Sequence, residues 1–227
     1  MILYKNIKKG VFVSRQNRFV AIVTVDGQNK VCHVKNTGRC RELLIQGVTV
    51  LLEKCGGNNR KTEYDLVAVY KGQELINIDS QAPNKVFGEW IKERGFFGET
   101  TLIRAETTYK NSRFDYYIEN NDQKIFVEIK GVTLENDGVA MFPDAPTERG
   151  IKHLSELADA VKNGYASYVF FIIQMKNCRY FTPNVKTHPQ FAQALIKVEK
   201  AGVNICCVDC EVFEEGFSIK NFVEVRL

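Results

Sequence analysis

The stretch "SRFDYYIENNDQKIFVEIK", residues 112–130, decides the fold. Two runs rich in aromatic and β-branched residues flank the polar cluster Asn120-Asn121-Asp122-Gln123, the pattern of a β-hairpin. Three charges nevertheless stand inside its strands: Asp115 in the first, Glu128 and Lys130 in the second. A turn centred between Asn121 and Asp122 pairs residues whose numbers sum to 243, which sets Asp115 opposite Glu128. Side chains so opposed have Cβ atoms roughly 4.5–5.5 Å apart. Alternation along the strand puts Lys130 on the same face as Glu128. Two opposed carboxylates destabilise a sheet unless something neutralises them, and a bound divalent cation is the simplest neutraliser. Oxygen-only ligands favour Mg2+ or Mn2+, with waters and a phosphate completing the shell. Lys130 is then placed to orient or activate a water, or to neutralise charge developing on the phosphate.

Outward from the hairpin, elements alternate. "QAPNKVFGEWIKERG" (81–95) predicts a helix over 84–94, capped by Asn84, with Val86, Trp90 and either Phe87 or Ile91 facing the core. Strands follow at 101–107, 113–119 and 124–130, the last ended by Gly131. A helix at about 146–162 has Asp144 or Thr147 as cap, Pro146 near its start, and a core stripe of Ile151, Leu154, Leu157, Ala158 and Val161. "ASYVFFIIQM" and "VNICCVD" are strands without alternation, as expected of parallel strands buried on both faces, and a helix at 189–200 separates them. The order αβββαβαβ describes an α/β domain, 83–227, with a mixed central sheet. An Asp in one strand followed by Glu-x-Lys in the next, on such a core, resembles the PD-(D/E)XK nucleases. Phe114 stands where the strict motif has proline.

Further site residues are expected around this centre. Glu89 is the best-placed helix carboxylate to complete a metal site, with Glu93 and Glu106 as alternatives. Arg149, Lys152, His153 and Glu156 gather on one face of the 146–162 helix, beside its N-terminal amides, as a phosphate-contact surface.

Residues 1–82 show no convincing helix. "GVFVSR", "FVAIVTVDG", "KVCHVKN", "VTVLLEKCGG", "YDLVAVYKG" and "ELINIDS" are strand-like, separated by turn signals at 26–27, 56–59 and 71–72 and interrupted by a helical or loop insert, "GRCRELLIQG". So many short strands predict a small closed barrel, an OB-fold before an SH3-like one, and the chain overall is α+β. Arg15, Arg18, Lys35, Arg39 and Arg41 suit a nucleic-acid backbone; Phe12, Phe19 and His33 are stacking candidates, the two phenylalanines better read as core. Residues 1–82 carry 13 Lys/Arg against 7 Asp/Glu, whereas 83–227 carry 18 against 20, so the basic excess lies with the barrel and suits a polyanion.

Other chemistries lack support. The seven cysteines are scattered and read as reduced thiols of a cytoplasmic protein; Cys207 and Cys210 lack the second pair a zinc site needs. His33, His153 and His188 are too dispersed for a triad, and no P-loop or G-x-G-x-x-G is present. The longest apolar run, "YVFFII" (168–173), is too short to span a membrane, and no signal peptide is evident.

"TGRCRELL", "SRFDYYIE", "FVEIKGVTL" and above all "MFPDAPTERGIKHLSEL" resemble the sugar fermentation stimulation protein A family along essentially the whole chain. The resemblance implies a DNA-binding protein, linked in enteric bacteria to regulation of maltose metabolism, with an OB-like domain before a nuclease-like one. By motif position its active-site residues fall on Asp115, Glu128 and Lys130, and its long motif on Phe142–Ala145 and Thr147–Leu154. "ELLIQG" departs from it in lacking a proline before the glycine. DNA binding is better supported by this resemblance than cleavage.

Overall fold

The computed structural model describes residues 1–56 and 60–227, so the expected turn at 56–59 lies mostly outside the described residues. The N-terminal part is a barrel of β1 (Ile7–Asn17), β2 (Val20–Val25), β3 (Gln28–Val34), β4 (Thr49–Lys54) and β5 (Tyr64–Lys71), with β6 (Glu74–Asn77) added beside β5. The strand order is β3-β2-β1-β4-β5-β6, and parallel pairing of β3 with β5 closes the barrel. Closure removes exposed edges and leaves inward residues such as Ala21, Val23, Val50, Leu52 and Leu66 buried. The insert "GRCRELLIQG" forms turns, not a helix.

α1 (Ala82–Arg94) follows, then the strands β7 (Thr100–Tyr109), β8 (Ser112–Asn120) and β9 (Lys124–Val132). A small hairpin, β10 (Leu134–Asn136) and β11 (Val139–Phe142), leads to α2 (Glu148–Lys162). Next come β12 (Ala166–Ile173), β13 (Tyr180–Pro183), α3 (Pro189–Lys200), β14 (Asn204–Phe213), β15 (Gly216–Phe222) and β16 (Glu224–Val225). The central sheet runs β15-β14-β12-β9-β8-β7; β9, β12 and β14 are mutually parallel and the outer pairs antiparallel, so the sheet is mixed. β10, β11, β13 and β16 make a second sheet that the sequence does not announce.

β12 explains the sandwich. Phe170 and Ile172 pack with α1, whereas Val169, Phe171 and Ile173 pack with α2 and α3, so a strand without alternation is buried on both faces. Each fully buried Phe contributes roughly 1.5–3 kcal/mol. α1 buries Val86, Phe87, Trp90 and Ile91 together. Its N-cap is Gln81, without a side-chain bond, not Asn84, whose side chain is needed elsewhere. Thr147 rather than Asp144 caps α2, accepting the Gly150 N–H at 3.1 Å. Among the described residues no helix is long and apolar enough to cross a membrane.

Barrel and sandwich are joined by a buried polar network. Gln174, at the end of β12, donates to Asn77 Oδ1 at 2.7 Å and to the Asp79 carbonyl at 3.0 Å. Asn77 donates to Tyr4 Oη at 2.8 Å, and Tyr4 donates to Asp79 Oδ2 at 3.3 Å. Tyr4, Asn77, Asp79 and Gln174 are each at most 3% exposed. A fully bonded network this deep fixes one mutual placement of the two parts, because any other leaves buried polar groups unpaired.

Candidate functional site

The hairpin register is as the turn arithmetic requires: Tyr116 faces Val127, Tyr117 Phe126, Ile118 Ile125 and Glu119 Lys124. The β8–β9 ladder stops at Tyr116–Val127, one step short of Asp115 and Glu128. Beyond it Asp115 replaces a backbone partner, its Oδ2 accepting the Ile129 N–H at 2.7 Å. The opposite residue on β7 is Glu106, whose φ of 53° lies in the left-handed region and marks the same distortion. A half-buried acid therefore sits where the sheet opens.

α1 holds Asp115 from the other side. Asn84 Nδ2 donates to Asp115 Oδ1 at 2.7 Å. Tyr116 locks that helix by donating to the Asn84 carbonyl at 2.8 Å, an approach allowed because residue 88 is glycine: a Cβ there would meet the Tyr116 hydroxyl at 2.3 Å. Glu89, the expected third ligand, is exposed. It stands five residues beyond Asn84, about 140° round the helix, and faces solvent instead of Asp115. Glu93 is also exposed, and Glu106 pairs with Arg113. The helix thus gives the site an amide where the sequence suggested a carboxylate.

Glu128 is 3% exposed, flanked in the parallel ladder by Val169. Its Oε1 takes both Lys130 Nζ and His153 Nδ1, the latter at 2.6 Å. Its Oε2 is buried and has no partner among the described residues. Burial opposes its charge, but Lys130 and His153 outweigh burial and hold its pKa below the usual carboxylate range. Asp115 is shifted the other way, pushed up to about 6 by burial and by the charge of Glu128, against the Ile129 amide, Lys130 and Asn84. Two neighbouring carboxylates driven apart in this way are an arrangement typical of functional sites.

His153 does not belong to an exposed phosphate face. It is 5% exposed, packs edge-on to Phe114, and accepts from Arg149 Nε at 3.3 Å on Nε2. With a hydrogen on Nδ1, the ring donates to Glu128 while Nε2 accepts from Arg149. Lys152 donates to the Asn111 carbonyl at 2.7 Å and tethers the β7–β8 turn. Gly131 lies within β9 and does not end it; its small size is required because a Cβ would come within 2.5 Å of Gln174 Oε1 and 3.0 Å of Pro83.

The five barrel cations divide. Arg15 spends its guanidinium on the carbonyls of Arg18, Asn36 and Arg39 at 2.6–2.8 Å, and Lys35 binds Asp79 at 2.7 Å. Both are structural. Arg18, Arg39 and Arg41 are exposed and form no ion pair among the described residues. They border a cleft between insert and barrel that joins a second cleft of about 260 Å3 running between the barrel and the sandwich to Gly131. Of the stacking candidates, Phe12 is core at 3% exposure whereas Phe19 is 51% exposed. A separate group, Glu53, Cys55 and Asp65, brings possible ligand atoms within 4.8 Å of one another, but Arg60 and His33 already occupy Asp65. Cys207 and Cys210 are buried free thiols whose pKa values burial raises.

Family models match both parts: "SfsA N-terminal OB domain" over residues 13–78 and "Sugar fermentation stimulation protein RE domain" over 81–216. A sugar fermentation stimulation protein homolog of Desulfitobacterium hafniense is 60% identical over 224 residues, 99% of this chain and 98% of that one. Another from Ruminiclostridium cellulolyticum is 54% identical, with 99% of each chain covered. The SfsA of Pyrococcus furiosus, whose structure was solved in complex with Ca2+, aligns with a TM-score of 0.91 at 27% identity, over 100% of this chain and 99% of that one. An OB-like barrel joined to an α/β domain with a mixed sheet, matched by two family models and by relatives along its full length, places this chain in the sugar fermentation stimulation protein family.

Proposed function

We propose that the chain binds DNA and cleaves its phosphodiester backbone with a divalent cation, Mg2+ or Mn2+, held by Asp115 and Glu128. The observation that carries this reading is Glu128 Oε2, a buried carboxylate oxygen with no partner, close to a second carboxylate whose ionisation is resisted. Buried acceptors are normally bonded, and a cation satisfies this one while removing the repulsion that raises Asp115. Oxygen donors suit a hard cation, and the Ca2+ complex of the P. furiosus relative is of that class. When bound, such an ion neutralises phosphate charge and lowers the pKa of its water.

The chain's own groups do the rest. Asn84 and the Ile129 amide fix the Asp115 carboxylate, each bonding one of its oxygens and leaving it further lone pairs. Lys130 and His153 both hold Glu128 Oε1, so Oε2 is the oxygen left to face a ligand. Lys130, its side chain 16% exposed, is the cation nearest the reacting phosphate and stabilises its developing charge. Arg18, Arg39 and Arg41 hold the nucleic-acid backbone on the barrel side. Seven free thiols suit a reducing cytoplasm.

The test is nicking and cleavage of several DNA forms with Mg2+ or Mn2+ by the wild type and Glu128→Ala. Wild-type cleavage that falls by at least about 10²–10³-fold in the variant is expected. Equal activity in both proteins overturns the proposal. DNA binding without cleavage in either metal would leave a binding scaffold, as a regulator of sugar-metabolism genes requires.

A further inference from the structure

The tip of the β1–β2 hairpin sets two unlike side chains next to each other. Asn17 Oδ1 accepts the Phe19 N–H at 2.8 Å and fixes the turn. Arg18 lines the cleft between barrel and sandwich, while Phe19 lines its neighbour, with His33, Lys35 and Arg60. In that second cleft Arg60 and His33 are drawn onto Asp65, and Lys35 onto Asp79. Its free feature is therefore the Phe19 ring, 51% exposed. The two clefts share Asn36, Thr37 and Ser80, and the first reaches Gly131, next to Lys130.

We infer that the substrate is single-stranded DNA, laid from a base stacked on Phe19, past a phosphate on Arg18, into the interdomain cleft that reaches Gly131, the residue after Lys130. For cutting, this rests on the metal site proposed above; for binding, it does not. An exposed ring beside a cation that forms no ion pair among the described residues is the combination by which proteins hold unpaired strands, since stacking needs a free base face that a duplex does not offer. The cleft itself suits a bare backbone. Thr37, Gly38, Ser80, Gly131 and Thr133 give it a small-residue rim, and its acidic wall residue, Asp144, is turned to the barrel, where Oδ2 accepts the Cys40 N–H at 2.8 Å. The Tyr4–Asn77–Asp79–Gln174 network holds the two walls at a fixed spacing. Glu128, 3% exposed, lies on the same strand as Gly131, which lines that gap of about 260 Å3.

Fluorescence anisotropy in EDTA tests the binding. The probes are a labelled oligonucleotide of about 16 nucleotides, the upper site size of one OB-fold, and the blunt duplex of the same sequence. The single strand should bind more tightly than the duplex, and Phe19→Ala should weaken it by about 5- to 150-fold, the equivalent of one lost stacking contact, with duplex affinity unchanged. Duplex bound as tightly as the single strand, or Phe19→Ala without effect on the single strand, overturns the inference. A Mn2+ cleavage arm separates the two readings. Strand binding through Phe19 with no cleavage removes the metal reading alone, whereas cleavage of DNA with no role for Phe19 removes the single-strand reading alone.

Discussion

Two buried acids, Asp79 at 2% exposure and Glu128 at 3%, each carry a lysine, yet their second oxygens fare differently. Asp79 Oδ1 accepts the Gln81 N–H at 2.9 Å, and Oδ2 takes Lys35 at 2.7 Å and Tyr4 at 3.3 Å. Both oxygens are used. Glu128 concentrates Lys130 and His153 on Oε1 and leaves Oε2 bare in a buried setting. A saturated buried acid serves the fold, because everything it can bind is already protein. An acid with one oxygen withheld is poised for something the protein does not supply.

The two acids should differ most in what they contribute to stability. Asp79→Ala strands Lys35 and leaves Tyr4 and the Gln81 amide without their acceptor, and should cost about 3–5 kcal/mol. Glu128→Gln weakens the Lys130 and His153 contacts but keeps an acceptor for them at constant volume and relieves the repulsion on Asp115, and should cost less, about 1–2 kcal/mol. Urea midpoints at constant slope measure both. The reverse order would show that Glu128, not Asp79, is the structural acid.

A second effect depends on pH. Asp115 has a folded pKa of about 6, above its ordinary value of 3.8. The unfolded chain therefore releases this proton first, so the stability that protonated Asp115 supports is full below about pH 4 and lost as pH rises through about 6. The loss is about 2–3 kcal/mol. Asp115→Asn in metal-free buffer should recover that amount at pH 7.5 and gain nothing at pH 4, since Asn84 can turn its own carbonyl to the new amide. A gain of equal size at both pH values would remove the ionisation account.

Much of this was legible in the sequence where its signals were local. The Asn-Asn-Asp-Gln turn and two strongly patterned strands fixed the register of Tyr116–Val127 and hence the nearness of Asp115 and Glu128. The αβββαβ order followed from periodicity and caps. What failed was long-range. The carbonyls that occupy Arg15 and the acid that occupies Lys35 come from loops brought together only by barrel closure. Strands of two to four residues, such as β16 and β11, are too short to show a period, and β11 pairs with β13 across some 40 residues. Phe19 passed for core because it opens an apolar run, although the turn at Asn17 swings it outward. For His153 a signal was present. Counting back from Ala160 and Leu157 by helical spacing reaches position 153, on the stripe that the helix buries.

That placement leads to the smallest predicted effect and separates orientation from binding. His153 touches Glu128 through Nδ1 and is itself held by Arg149, so it sets where Glu128 points without facing a ligand. Partners of this kind typically contribute 10–100-fold to metal affinity. In calorimetric titration with Mn2+, His153→Ala should weaken binding by about that range. His153→Asn places an amide donor near the former Nδ1 and should keep most of the affinity. Lys130 would remain on Oε1 in both variants, so a loss confined to alanine assigns the effect to the imidazole hydrogen bond. Equal affinity in wild type and His153→Ala would mean that Lys130 alone orients Glu128, and the withheld oxygen would then owe nothing to α2.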